Sequence, residues 1–177
     1  GVDDDCNGAV DESETCAAGC SARSNAGHLY LLCLSSAQVA GADYEEARAR
    51  CTGAGPASGV DFELSRVQSA LENDFLKTWI VASTSEIGMV WLGANDLEDE
   101  HTWVWGGDPA SERFFTGRNQ GGGNPYMQRF NDFASGRPNS VNGENEDCGA
   151  FDSEFAWQWN DLVCDNARLG FLCEEKP

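Results

Sequence analysis

Eight cysteines constrain this chain more than any other feature of its sequence. An even number of them in 177 residues points to a disulfide framework, and so to an oxidising compartment. Zinc explains them poorly. Cys16 and Cys20 stand as C-x3-C, but no second pair or histidine cluster accompanies them, and the only histidines are His28 and His101. Thirty acidic residues against 11 basic ones give a formal charge of −19, which disfavours nucleic-acid backbones and anionic membranes and favours cations. No stretch approaches the roughly 20 continuous apolar residues of a membrane span. No signal-peptide pattern is present, and the start at Gly1 without Met is read as a processed or trimmed form. Hydrophobic content of 41% is enough for a core in one domain of ordinary length.

Two segments differ in character. Residues 1–19 are acidic: Asp3, Asp5 and Asn7 alternate before Gly8, with Asp11 and Glu12 downstream. This is how a calcium loop opens, alternating oxygens converging on one ion while glycine permits the reversal. No helical pattern flanks the segment, so it is not a complete EF-hand, and a solvated acidic tail accounts for it equally well.

From Cys20 the pattern is globular, giving a domain over 20–177. HLYLLCL (28–34) reads as a strand, and ADYEEARARC (42–51) as a helix burying Tyr44, Ala47 and Cys51. VDFELSRVQ (60–68) is strand-like. Ser69 followed by Glu72 is a capping box opening a second helix, with Leu71, Phe75 and Trp79 on one face. Short strands follow at 89–94, 102–105, 148–152, 155–159 and 169–173. The Gly-rich stretch 106–132 takes no assignment, and loops of that length are usually functional. Two helices followed by a β-rich half make an α+β domain.

One stretch conflicts with its surroundings. In WQWNDLVC (157–164) a strand-like run contains Asn160 and Asp161, residue types depleted from strands. A buried carboxylate needs a cation, a paired base or exposure to water. A dense acidic group, ENEDC (144–148), lies close by in sequence.

WLGAND (91–96), RPN (137–139) and WND (159–161) resemble the W-I-G, E-P-N or Q-P-D, and W-N-D motifs of the C-type lectin-like domain, with the match running from about Cys20 to Glu174. The resemblance implies a disulfide-stapled α+β fold of two helices and antiparallel sheets with a long loop region. It implies the pairs Cys51–Cys173, Cys148–Cys164 and Cys20–Cys33, leaving Cys6–Cys16 outside the family pattern. It implies a secreted or extracellular protein whose cofactor is Ca2+. The ligands carried over are Asn139, Glu146, Asn160 and Asp161, a sugar's vicinal hydroxyls completing the shell. An auxiliary site draws on Asp96, Glu100, Glu146 and Asp147, although Ser140 replaces a usual Asp.

Arg137 is the departure, standing where the family has Glu or Gln. A guanidinium has five donors and no acceptor, so it cannot ligate a cation. Three outcomes follow. Glu144 replaces the lost ligand and frees Arg137 for the bound ligand; Arg137 pairs with Glu146 or Asp161 in place of the ion; or four protein groups plus waters hold the ion weakly. The expectation is a calcium-dependent carbohydrate-binding lectin contacting its ligand through Arg137, Asn139, Glu146 and Asn160, with Asn139 leaning towards mannose-type sugars. The alternative is a calcium-independent or structurally calcium-bound module that binds protein.

An enzyme is not expected. No G-x-S-x-G elbow is present, and acids such as Glu144 and Glu146 in a solvated loop lack the raised pKa that glycoside hydrolysis requires. Trp91, Trp103, Trp105, Trp157, Trp159 and Phe133 are assigned to the core, and Tyr126 to sugar stacking.

Overall fold

The computed structural model describes residues 20–34, 41–54, 60–84, 88–106, 112–118, 123–140, 145–165 and 169–176. The acidic segment with Asp3, Asp5, Asn7, Asp11 and Glu12, the Cys6–Cys16 pair and Glu144 all lie outside the described residues.

Both helices begin where side chains cap them. Asp43 Oδ1 accepts the Glu46 N–H at 2.8 Å and opens α1 (Tyr44–Gly53), which buries Tyr44, Ala47 and Cys51 as its spacing predicts. Ser69 Oγ accepts the Glu72 N–H at 3.2 Å and opens α2 (Ala70–Ser83). The Glu72 carboxylate does not return to Ser69. It accepts the Gln68 N–H at 2.8 Å and the Tyr30 hydroxyl at 2.7 Å, tying the helix start to the neighbouring sheet.

The buried face of α2 departs from the expected one. Leu71 is 84% exposed, whereas Asn73, Leu76, Trp79 and Ile80 are buried. Asn73 is what hides this phase from the sequence. It is polar, yet it belongs inside because the Trp159 indole N–H donates to its Oδ1 at 3.1 Å while its own amide donates to Asp132 at 2.8 Å.

The strands are β1 (Ser21–Asn25), β2 (His28–Cys33), β3 (Phe62–Leu64), β4 (Met89–Asn95), β5 (Thr102–Trp105), β6 (Arg113–Thr116), β7 (Asn124–Pro125), β8 (Cys148–Asp152), β9 (Gln158–Leu162) and β10 (Gly170–Glu175). Their order is β1-β2-β10-β4-β5-β6-β7, with β3 on β10, and β8 bridging β4 and β9. Pairing is antiparallel among the described strands except between β10 and β4, which are parallel at Gly170 and Val90. The last strand threads back between β2 and β4, so the sheet is mixed rather than purely antiparallel. Part of the unassigned stretch is therefore strand, β6 and β7. The strand expected over 155–159 starts only at Gln158: Phe155 ends a 3-10 turn, Ser153–Phe155, and Trp157 at φ 61 is only half-buried before β9 starts.

The three family-type disulfides, Cys20–Cys33, Cys51–Cys173 and Cys148–Cys164, are all formed. Trp159 anchors the larger core. Its ring meets Trp105, Phe114, Phe130 and Phe133 edge-on at 5.5, 6.0, 5.7 and 5.7 Å, each such pair adding about 0.5–1.5 kcal/mol beyond area burial. Phe133 is buried as assigned. This rigid aromatic block lies directly behind the Asn160-Asp161 pair. Gly149, opposite Asp161 in the β8–β9 register, leaves room for Ala94, whose Cβ would lie 2.7 Å from any Cβ at 149.

Candidate functional site

Strand β9 carries Asp161 into a fully buried position. Exposure at a strand end is therefore not what accommodates this carboxylate, since β9 continues through Leu162. Segment 132–140 lies across the strand. Trp159 N–H donates to Asp132 O at 2.9 Å, and Ala134 N–H to Trp159 O at 2.8 Å. Asp161 Oδ2 then accepts two backbone amides of that segment, Asn139 at 2.6 Å and Ser140 at 2.8 Å. Its other oxygen, Oδ1, is buried with no hydrogen-bond partner.

Arg137 enters the same space. Its Nη1 donates to Asn139 Oδ1 at 2.5 Å, and stands 3.7 Å from Asp161 Oδ1 and 3.9 Å from Glu146 Oε2. The guanidinium also lies 4.9 Å over the Phe155 ring. Three expected ligand residues, Asn139, Glu146 and Asp161, thus gather around the arginine. Only Asn139 is met at hydrogen-bonding distance. Asn160 uses a different partner: its amide donates to Asp152 Oδ2 at 2.9 Å, and its Oδ1 is buried without a bond. Orphaned buried oxygens of this kind fit a hard cation, which takes six to eight oxygen ligands. Among the described residues of the nest, the guanidinium is the one group whose charge opposes such an ion.

A second acidic group forms beyond β4. Asp96 and Asp147 are buried and adjacent, the Asp96 N–H donating to Asp147 O at 3.1 Å. Asp96 Oδ2 accepts the His101 N–H at 2.9 Å, and Asp147 Oδ2 accepts the Asn145 amide at 2.6 Å, but Oδ1 of each acid is buried and unbonded. Burial pushes the Asp96 carboxyl up to about 7; the His101 N–H opposes this, while the charges of Asp147, Glu100 and Asp161 add to it. Asp147 is raised by burial and by Glu100.

Asp96, Glu100 and His101 hold ligand atoms within 4.8 Å of one another. The first two are expected from the sequence; His101 is not. Its signal is its place directly after the acidic run 98–100.

The Arg113 guanidinium covers one face of the Tyr126 ring, 4.6 Å from its centroid. A groove of about 320 Å³ lined by Gln68, Trp105, Glu112, Arg129 and Phe130 shares no residue with either acidic group.

Residues 41–175 match the family model of the lectin C-type domain. The chain belongs to the C-type lectin domain family. Among the relatives of this lectin domain, a perlucin-like protein of Mytilus galloprovincialis is 28% identical over 110 residues, covering 62% of this chain and 59% of that protein. Lectin BRA-3 of Megabalanus rosa is 30% identical, covering 63% of this chain and 54% of its own length. This chain thus spans between half and three-fifths of those relatives. An alpha-N-acetylgalactosamine-specific lectin of Patiria pectinifera is 28% identical over 142 residues, 76% of this chain and 68% of that one.

The fold is that of C-type lectin CEL-I from Cucumaria echinata, with a TM-score of 0.66 and 21% identity over 88% of this chain and 94% of that one. It also matches an SPL-1–GlcNAc complex, with a TM-score of 0.56 and 22% identity over 90% and 93% of the two chains. No helix among the described residues is long and apolar enough to cross a membrane.

Proposed function

We propose that this lectin domain is a secreted, calcium-dependent carbohydrate-binding protein. The observation carrying this reading is the Asp161 carboxylate, fully buried, with one oxygen clamping segment 137–140 and the other unbonded. Asp161, Asn139, Glu146 and Asn160 would hold the calcium ion, and the Arg137 guanidinium stands in the same space as its competitor. Because calcium takes six to eight oxygen ligands, four protein groups would leave room for two vicinal sugar hydroxyls. The acids beyond β4 take the auxiliary ion and stiffen the loops around the first. Asn139 favours a mannose-type hydroxyl arrangement. The N-acetylgalactosamine specificity in the name of the Patiria relative keeps amino sugars in the test set. Three formed disulfides support an extracellular location.

A second reading rests on the 2.5 Å Arg137–Asn139 bond and the Phe155 ring beneath the guanidinium. There the arginine is a resident cation, and the domain binds a protein partner without calcium. Calorimetric titration with Ca2+ and a glycan array read with and without EDTA separate the two. Glycan signal that vanishes in EDTA and in Asp161→Asn supports the ion-bridged mechanism. Signal that survives EDTA, or none in either condition, removes it.

A further inference from the structure

We propose that Arg137 makes this site selective for acidic saccharides, a sugar carboxylate or sulfate docking on the outer edge of its guanidinium. The inference rests on the calcium-dependent reading and goes beyond it in naming the ligand class.

One edge of the guanidinium is engaged and the other is not. Every contact with Asn139, Glu146 and Asp161 runs through Nη1. Among the described residues, Nε and Nη2 have no hydrogen-bond or ion-pair partner, and neither is a buried orphan, so both open to solvent from a side chain that is 20% exposed. Nε and Nη2 present the parallel N–H donors that a carboxylate or sulfate meets with two oxygens at once. Phe155 supports the guanidinium from one face, 4.9 Å away, which leaves its edges for hydrogen bonding.

Local charge points the same way. The charged groups within 4.0 Å of the guanidinium are Glu146 and Asp161, so the nest alone carries one negative charge in excess and would repel an acidic ligand. A divalent cation held by those two acids would turn the excess positive. With the family's glutamate at position 137, the same loaded site would stay negative and suit neutral sugars. Arginine therefore changes the sign of the field a ligand meets on arrival. The −19 of the whole chain does not cancel this, because charges farther off than about 8 Å are screened at physiological salt.

The test titrates the calcium-saturated full chain by calorimetry with methyl glycosides of mannose, mannuronate, galactose, galacturonate and sulfated galactose. At least one acid should bind roughly fivefold or more tightly than its neutral parent, and the uronate and sulfate arms tell which oxyanion the guanidinium takes. The preference should vanish in Arg137→Gln and Arg137→Glu. Arg137→Lys keeps a positive charge in the nest without the paired donors, guards against misfolding of the other two, and should retain only part of the preference. A second readout is calcium affinity itself, which a saturating acidic sugar should raise by the same factor as calcium raises affinity for that sugar. Neutral parents binding as tightly as the acids, or a preference that survives in Arg137→Gln, overturns the proposal and leaves the ion-bridged mechanism standing. Acid binding undiminished in EDTA, or no binding of any sugar, removes the calcium-dependent reading and this inference with it.

Discussion

Replacing Glu174 by glutamine should stabilise this protein above neutral pH. Glu174 lies on β10, 6% exposed, directly across from Glu63 of β3. Its Oε2 accepts the Arg66 N–H at 2.8 Å, and its Oε1 is 3.4 Å from His28 Nδ1. Burial pushes this carboxyl from 4.5 up to about 7; the Arg66 N–H and guanidinium oppose the rise, and Glu72 and Glu63 add to it. Below pH 4.5 the group is protonated in both folded and unfolded chains. Between 4.5 and 7 the folded chain keeps the proton while the unfolded chain releases it, so this contribution to stability is lost as pH rises. At about 1.4 kcal/mol per pH unit, the whole displacement amounts to about 3 kcal/mol.

Glutamine keeps an oxygen for Arg66 and carries no charge to bury. Urea denaturation of wild type and Glu174→Gln, with disulfides intact and metals chelated, should show no difference near pH 4 and a gain of about 1–3 kcal/mol for the variant at pH 8. A variant less stable at pH 8, or a difference independent of pH, refutes the reasoning and makes the carboxylate a net structural contributor.

Arg137→Glu should raise calcium affinity in titration calorimetry. One charge pair at 4 Å near a protein surface commands roughly 4 kcal/mol, and a third of that already gives about a tenfold gain. No change would mean the guanidinium does not compete for the nest. Gly149→Ala should lower stability by about 1–3 kcal/mol in urea, because its Cβ meets Ala94 at 2.7 Å between two paired strands. A neutral result there would show that β4 and β8 yield more readily than a packed sheet does.

The frame of this fold is legible in the residues. Asp43 and Ser69 mark the helix starts, the strand runs at 28–34, 89–94 and 102–105 are where alternation and apolar content place them, and the family motifs foretell three disulfides. Reading fails where a tertiary partner reverses a local preference. Leu71 looks like core and faces water, whereas Asn73 looks like surface and is buried because Trp159 and Asp132, far away in sequence, satisfy its amide. The parallel pairing of β10 with β4 has no local signature, since it depends on where the last strand is threaded.

At the candidate site, the oxygen-bearing residue types that a cation would need are visible, and so is the misfit of Arg137. The direction of its guanidinium is not, because that depends on Phe155 and on oxygens from two chain segments. His101 escapes notice because a lone histidine after an acidic run declares nothing until its backbone torsion is seen.

The two oxygens of Asp161 have separate employments, one as a hinge pin for the neighbouring segment, the other facing the Arg137 guanidinium 3.7 Å away. An amide in its place would still offer one oxygen to the two N–H groups. Shape and charge can therefore part company at this position: a descendant carrying asparagine there would keep the loop seated while losing the negative charge that the proposed calcium site needs.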